Sequence, residues 1–267
     1  MISDSKDASS LPALLTIDVG NTSTAICIAQ DGELRDRQTI PTSKTRQIEA
    51  ALKVAWDALE LLDRHVVCGS VVPEALAHLK RFAVNELDTG LSCIRDDVPL
   101  AIKLAVDEPD RVGVDRVCTA TAAYMEAAAA CAIADFGTAI KIDCVDQDGT
   151  FLGGTIAPGL DLSAWILHEA TAALPLVRLN APADSGIGTN TESAIETGIL
   201  LGAIGGLREI VERFATKLGQ WPKLVLTGGQ ADLIAKHCKF VDAVRPNLCL
   251  EGIAATYLKY IYDHEHQ

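Results

Sequence analysis

The chain has 267 residues, 49% of them apolar, and a formal net charge of −13. That length and apolar content suffice for a substantial core, as one large domain or two of about 100–150 residues. The acidic balance argues against nucleic acid or an anionic membrane surface as the main partner, because both demand a basic face, although a locally basic pocket for an anionic substrate stays compatible with it.

In chain order, residues 1–12, MISDSKDASSLP, lack the apolar core of a signal peptide and read as a disordered N-terminal tail. Leu14 to Thr22, LLTIDVGNT, is an apolar run that ends in Asp-x-Gly. It predicts a buried strand, a tight turn at Gly20, a second strand, and a hairpin at the Asp31-Gly32 pair. Ile48, Leu52, Trp56, Leu59 and Leu62 recur at helical spacing, so an amphipathic helix is expected over Thr45–Asp63. HVVCGSVV (65–72) reads as a buried strand, with Pro73 well placed in the first turn of a helix running to about Leu87. Two short strands are expected at Leu91–Arg95 and Leu100–Val106. The polar stretch Asp107–Arg116, DEPDRVGVDR, has Pro109 and Gly113 as breakers and opens onto an Ala-rich helix reaching Ala129.

The second half echoes the first. Ile133 to Thr138, IADFGT, again ends an apolar run in Asp-x-Gly; Asp135 lies 117 positions after Asp18. An Asp-Gly pair follows each aspartate at the same offset, Asp31-Gly32 and Asp148-Gly149. Two copies of one supersecondary unit imply duplication, with halves 13–129 and 130–267. Strands alternating with helices in both halves indicate an α/β fold with helices covering the sheets. FLGGTIAPGL (151–160) is a strand whose glycine pair marks either a bulge or a ligand close to the backbone. Residues 186–214 form a loop leading into a long helix. Ser193 with Glu196 fits a capping box, and Thr189 or Asn190 are alternative caps. Gly198, Gly202 and Gly206 make one stripe along that helix, each costing about 1 kcal/mol relative to Ala. Something must therefore pack closely there, the sheet or a helix of a second subunit. KLVLTGGQADLI (223–234) reads as strand, Gly228-Gly229 turn and helix, a place for a nucleotide to rest on backbone.

The chemistry of the twin turns is readable from the residue types. Without side chains at Gly20 and Gly137, backbone N–H groups can close on a phosphate. The adjacent carboxylates, Asp18 and Asp135, can hold a cation that the phosphates share. Eight cysteines lack any C-x-x-C and lie mostly inside apolar runs, which predicts buried free thiols in a reducing cytosol. The histidines show no ligand spacing except His264-x-His266, read as a solvated tail. Trp56, Trp165 and Trp221 read as packing residues. No apolar run is long enough, without interruption, to span a bilayer.

Repeated Asp-x-Gly turns with a late strand–Gly–Gly–helix resemble the duplicated ribonuclease H-like (actin-like ATPase) fold of the actin, Hsp70 and sugar kinase superfamily. Two similar halves with mixed sheets flanked by helices are then expected. Within that superfamily, DVGNT (18–22), VGVDR (112–116), DFGTA (135–139), GGTIAPGL (153–160), IGTNT (187–191) and TGG (227–229) resemble type III pantothenate kinase in order and spacing. The resemblance implies a cytoplasmic homodimer with shared active sites. Its reaction would be ATP-dependent phosphorylation of pantothenate to 4'-phosphopantothenate, the first step of coenzyme A biosynthesis. The alternatives are a superfamily kinase or phosphohydrolase acting on another small molecule, or a non-catalytic regulatory homologue.

Residue by residue, the resemblance places ATP phosphates on Asp18, Gly20, Asn21 and Thr22, on Gly137 and Thr138, and on Gly228 and Gly229, with Mg²⁺ near Asp18. Asp115 would accept the proton of the pantothenate hydroxyl. Gly113 and Arg116 would bind the substrate, and Thr191 would reach the partner subunit's pantothenate site. Asp135 would hold a monovalent cation, K⁺ or NH₄⁺. One departure stands out. The family continues the second turn as Gly-Thr-Ala-x-Thr-x-Asp, whereas this chain reads GTAIKID, with Lys141 at the threonine position. In a regular strand Lys141 shares a face with Asp143. Its ammonium either points to solvent, damages the site, or supplies the positive charge otherwise given by K⁺.

Overall fold

The computed structural model of the chain describes residues 11–59 and 63–265. The tail expected over 1–12 falls mostly outside them, as do Leu62 and His266. The described chain divides into two compact units that interleave in sequence. The first takes the described residues up to Ile102, then Asp110–Ala122 and the chain from Leu248 onward; the second takes Lys103–Pro109 and Ala123–Asn247. The repeat boundary at 129/130 and this partition by packing are thus different divisions of the chain.

In the first unit, β1 (Ala13–Val19) is the central strand because its apolar residues leave neither face suited to water: Ala13, Leu14, Leu15 and Ile17 are wholly buried. β2 (Ser23–Gln30) and β3 (Glu33–Pro41) add antiparallel on one side. β4 (Arg64–Ser70) and β5 (Leu91–Cys93) add parallel on the other, giving the order β3-β2-β1-β4-β5. The β2–β3 hairpin is the expected two-residue Asp31-Gly32 loop, with φ of 54° and 79°, the left-handed pair that matches strand twist. One face packs Leu15, Ile17 and Ile28 against α1 (Thr45–Asp57) and α2 (Pro73–Glu86). The other packs Leu14 and Val67 against α3 (Val114–Ala127) and α7 (Leu248–Glu265). Pro73 starts α2 as expected. α1 stops at Asp57, short of the expected Asp63. Arg64 takes one carbonyl of its last turn and one just beyond it, donating Nη1 to Trp56 O (2.9 Å) and Leu59 O (2.7 Å), with its guanidinium 4.1 Å from the Trp56 ring centroid.

The second unit repeats the plan. β6 (Cys131–Phe136) is central, β7 (Ala139–Val145) and β8 (Phe151–Pro158) are antiparallel to one side, and β9 (Lys223–Thr227) and β10 (Ala243–Val244) are parallel to the other. The order β8-β7-β6-β9-β10 matches the first sheet strand for strand, so the duplicated ribonuclease H-like architecture is observed. Ala134, Phe136, Ile140 and Ile142 pack on α4 (Leu160–Glu169), α5 (Thr191–Leu218) and the five-residue α6 (Ala231–Ala235). The second hairpin is looser than its Asp-Gly pair predicts. Its loop spans 146–150, closed by Asp146 Oδ1 accepting from the Asp148 and Thr150 amides at 2.9 and 2.8 Å.

Several expectations are corrected. Leu100–Val106 is not a strand; only Leu104 forms an isolated bridge, to Phe151. The glycine pair of β8 marks a bulge, with a register shift opposite Cys144 and Val145 and Gly153 at φ 98°. A Cβ at Gly154 would meet Ile142 O at 2.1 Å, so backbone packing alone accounts for that glycine. Trp56 is buried, but Trp165 and Trp221 are about half exposed, Trp221 packing edge-on against Phe240. α7 was not foreseen at all. It reaches the first sheet because Gly252 lets its backbone lie on α3: a Cβ there would stand 1.9 Å from Cys118 O. Gly252→Ala should therefore force the helices apart and cost about 1–3 kcal/mol or more. An unchanged midpoint in chemical denaturation would refute this account of α7 packing.

Candidate active site

In the first unit, Gly20 closes the turn after β1. Its amide donates to Ser23 O (3.0 Å) and its carbonyl accepts from Thr42 Oγ1 (2.7 Å) at the end of β3. Thr42 also meets Thr24 Oγ1 at 3.1 Å and donates its amide to Thr22 O, so the third strand pins the turn. Asn21 and Thr22 stand exposed at its tip. Asp18 is half-buried and, by strand alternation, shares the face of Leu14, the side covered by α3 and α7.

That covering brings Asp18 and Asp115 into one neighbourhood. Asp115 lies in the first turn of α3, where the helix dipole favours negative charge. A Cβ at Gly113 would stand 2.4 Å from Asp115 Oδ1, so the bare Cα allows the carboxylate to fold back over the helix start. Both acids act on Cys118 of α3 and on Cys249 of α7. Burial first, then the Asp18 and Asp115 charges, push both thiols well above their ordinary range. Cys249 Sγ also lies 3.9 Å from Asp115 O. Sequence reasoning missed this convergence because it depends on α7.

A cleft of about 320 Å³ opens beside the start of α3, lined by Ser70, Leu76, Arg95, Arg111 and Gly113 among others. Arg95 was not anticipated. It adopts φ 83°, donates Nη1 to Asp110 O (3.0 Å), and keeps Nη2 buried with no hydrogen-bond partner among the described residues. Its left-handed backbone has no sequence signature. Arg116 is half-buried one residue beyond Asp115.

In the second unit the turn after β6 is built in the same way. The Gly137 amide donates to Ala139 O (3.3 Å), and Gly159, after β8, donates to Thr138 O (3.0 Å). A Cβ at Gly159 would lie 2.3 Å from Gly137 O, which explains the Pro-Gly end of β8. Thr138 is exposed. Asp135 lies directly opposite Lys141 in the β6–β7 register, and Lys141 Nζ stands 2.7 Å from Asp135 Oδ2. The other carboxylate oxygen faces the glycines. Cβ atoms built at Gly228 and Gly137 would be 2.4 and 3.5 Å from Asp135 Oδ1. Gly228, at φ 92°, is thus bare to admit the carboxylate, while Gly229 is open. The helix after this turn has only five residues.

Thr191 is the exposed first residue of α5. Asn190 is the cap: its Oδ1 accepts the Ser193 amide at 2.9 Å and Ser193 Oγ accepts the Asn190 amide at 3.3 Å. The alternative cap is therefore the real one, and Glu196 instead accepts the Ala181 amide at 3.0 Å. No other part of the described chain comes within 4 Å of a Cβ built at Gly198, Gly202 or Gly206, which removes the sheet as their close neighbour.

No three His, Cys, Asp or Glu side chains among the described residues form a metal-binding group. A Mg²⁺ ion held mainly by nucleotide phosphates needs only one or two carboxylates, and the half-buried Asp18 meets that count.

The family model for type III pantothenate kinase matches residues 14–213. The chain belongs to the type III pantothenate kinase family. A type III pantothenate kinase of Dehalococcoides mccartyi is 34% identical over 91% of this chain and 96% of its own. One of Sphingopyxis alaskensis is 35% identical over 91% and 97%. Among solved structures, a conserved Baf-family protein of Campylobacter jejuni superposes with TM-score 0.62 at 18% identity, covering 95% of this chain and all of that one. MreB 5 of Spiroplasma citri, bound to AMPPNP, gives 0.50 at 10% identity, covering 96% and 98%. Both likenesses concern the fold alone. No described helix is long and apolar enough to cross a membrane.

All eight cysteines are free, seven of them buried and Cys249 half-buried. Burial raises the thiol pKa from 9.0 to about 11 at Cys93 and Cys144 and to about 12 at Cys131. A raised folded-state value means that the neutral thiol is favoured by folding. Their contribution to stability is complete below pH 9.0 and is lost as pH climbs through about 11 to 12. The melting temperature should therefore hold up to the lower value and fall beyond it, with native thiols reacting slowly at neutral pH. Rapid labelling of several thiols in the folded protein would contradict this.

Proposed function

We propose that this chain phosphorylates pantothenate at its hydroxyl, using Mg²⁺-ATP, to give 4'-phosphopantothenate in the cytoplasm. The observation that carries the reading is the convergence of Asp18 and Asp115 around the start of α3, beside a cleft with arginines, in a chain of this family. Phosphoryl transfer to an alcohol needs phosphate cradling, charge neutralisation and a proton acceptor. Asp115 is the proton acceptor. Gly113 lets the chain approach the substrate, and Arg116 supplies a planar fork for its carboxylate or for a phosphate. Backbone amides at Gly20, Asn21, Thr22, Gly137 and Thr138, with Gly228 and Gly229, bind phosphate oxygens. Mg²⁺ bound with ATP, near Asp18, offsets the phosphate charge.

Asp115→Asn should keep ATP binding and the fold while lowering turnover about 10²–10⁴-fold. A coupled ADP-release assay across a small panel of alcohols measures this. Retention of more than roughly a third of the turnover would remove Asp115 from the proton-accepting role.

The working form in this reading is a homodimer in which Thr191 serves the partner subunit's pantothenate site. Support comes from α4 and α5, where Leu162, Trp165, Ile166 and Leu201 are exposed alongside the open glycine stripe. Gly202→Leu should overfill a close helix contact, at about 1–3 kcal/mol or more, and shift the protein to monomer in sedimentation velocity. A fully active monomer in the unmutated protein would sink the dimer reading.

A further inference from the structure

We infer that Lys141 is the resident cation of the second phosphate turn, so that nucleotide binding and transfer by this chain need no free K⁺ or NH₄⁺. The inference rests on the kinase reading for the identity of the phosphate. It rests on geometry for the rest. A monovalent cation beside Asp135 would have to sit against its carboxylate, and Oδ2 is taken by the Lys141 ammonium at 2.7 Å. The other oxygen, Oδ1, is faced at close range by Gly228, where a Cβ would stand 2.4 Å away. The donor set at Asp135 therefore does not fit a free alkali ion.

The position of the pair also argues against a merely structural ion pair. Lys141 and Asp135 face each other across the β6–β7 ladder one residue before the strands reach the turn that Gly137 closes. Their side chains keep 19% and 20% of their surface exposed, so the pair lies at the rim rather than in the core. The opposite face of these strands carries the apolar cluster of Ala134, Phe136, Ile140 and Ile142. An ammonium is a compact charge with three donors, able to serve a carboxylate and a phosphate oxygen at once. Held by a strand, it is placed before the nucleotide arrives and loses no freedom when it binds.

The test is binding of Mg²⁺-AMPPNP by calorimetry in a Tris buffer free of alkali and ammonium ions, titrated with KCl against choline chloride at constant ionic strength. Turnover with pantothenate is followed in parallel. The unmutated protein should bind equally well with and without K⁺. Lys141→Thr should bind weakly and lose about 10²-fold in turnover, and K⁺ should restore both. Lys141→Gln, similar in length but uncharged, gives the same comparison if the threonine variant fails the circular-dichroism check for folding. Many-fold tightening of binding by K⁺ in the unmutated protein overturns the inference. So does a folded variant that binds nucleotide normally without K⁺. If the binding pattern holds but pantothenate is never phosphorylated, the kinase reading fails and the role of Lys141 in nucleotide binding stands.

Discussion

The constraint on which this structure depends is a fully buried strand that must end in an acid. Ala13 to Ile17 have no exposed surface, and Ala132 and Ala134 repeat that state in the second sheet. Such a strand needs cover on both faces, and it cannot accommodate an ionised carboxylate along its length, where an unpaired charge would cost far more than any single apolar contact returns. The tip is the position in these two central strands where the acid keeps access to solvent. Asp18 and Asp135 occupy it, each half-buried, and the chain turns at once through a residue without a side chain. The remainder of each turn is fixed from the far end of the hairpin, by Thr42 in one unit and Gly159 in the other.

An acid at a turn proposed to bind phosphate brings its own electrostatic problem. Two like unit charges about 4 Å apart repel by about 4 kcal/mol at an effective dielectric constant near 20, which corresponds to roughly a thousandfold in affinity. A positive charge must therefore accompany each aspartate when a nucleotide binds. At Asp18 the metal carried by ATP can meet that need. At Asp135 the chain provides it itself, through a lysine directly across the ladder.

Local features of the fold were legible in the sequence and non-local ones were not. The Asp31-Gly32 hairpin and the Pro73 helix start each follow from residues within a dozen positions of one another, and the duplication from the likeness of two short stretches. The end of α1 was misplaced because Arg64, beyond the helix, takes one carbonyl of its last turn and one just past it. α7 was missed because its reason for being, the contact between Gly252 and Cys118, joins residues far apart in the sequence. The site divides in the same way. Glycine turns and the Asp115-Arg116 pair were visible as motifs. Arg95 with its left-handed backbone, and the meeting of Asp18 with Asp115, needed the packing of α3 and α7. Lys141 lies between these cases. Strand alternation puts it on the face of Asp143, but its pairing with Asp135 required the register of two strands.

The most direct measurement of the central claim is ³¹P NMR of a reaction containing the purified protein, Mg²⁺-ATP and pantothenate. The ATP γ-phosphate signal should fall as ADP and one new phosphomonoester rise in equal amounts, the ester being that of pantothenate. Release of inorganic phosphate in place of the ester, or no change in ATP under any salt condition, would contradict it.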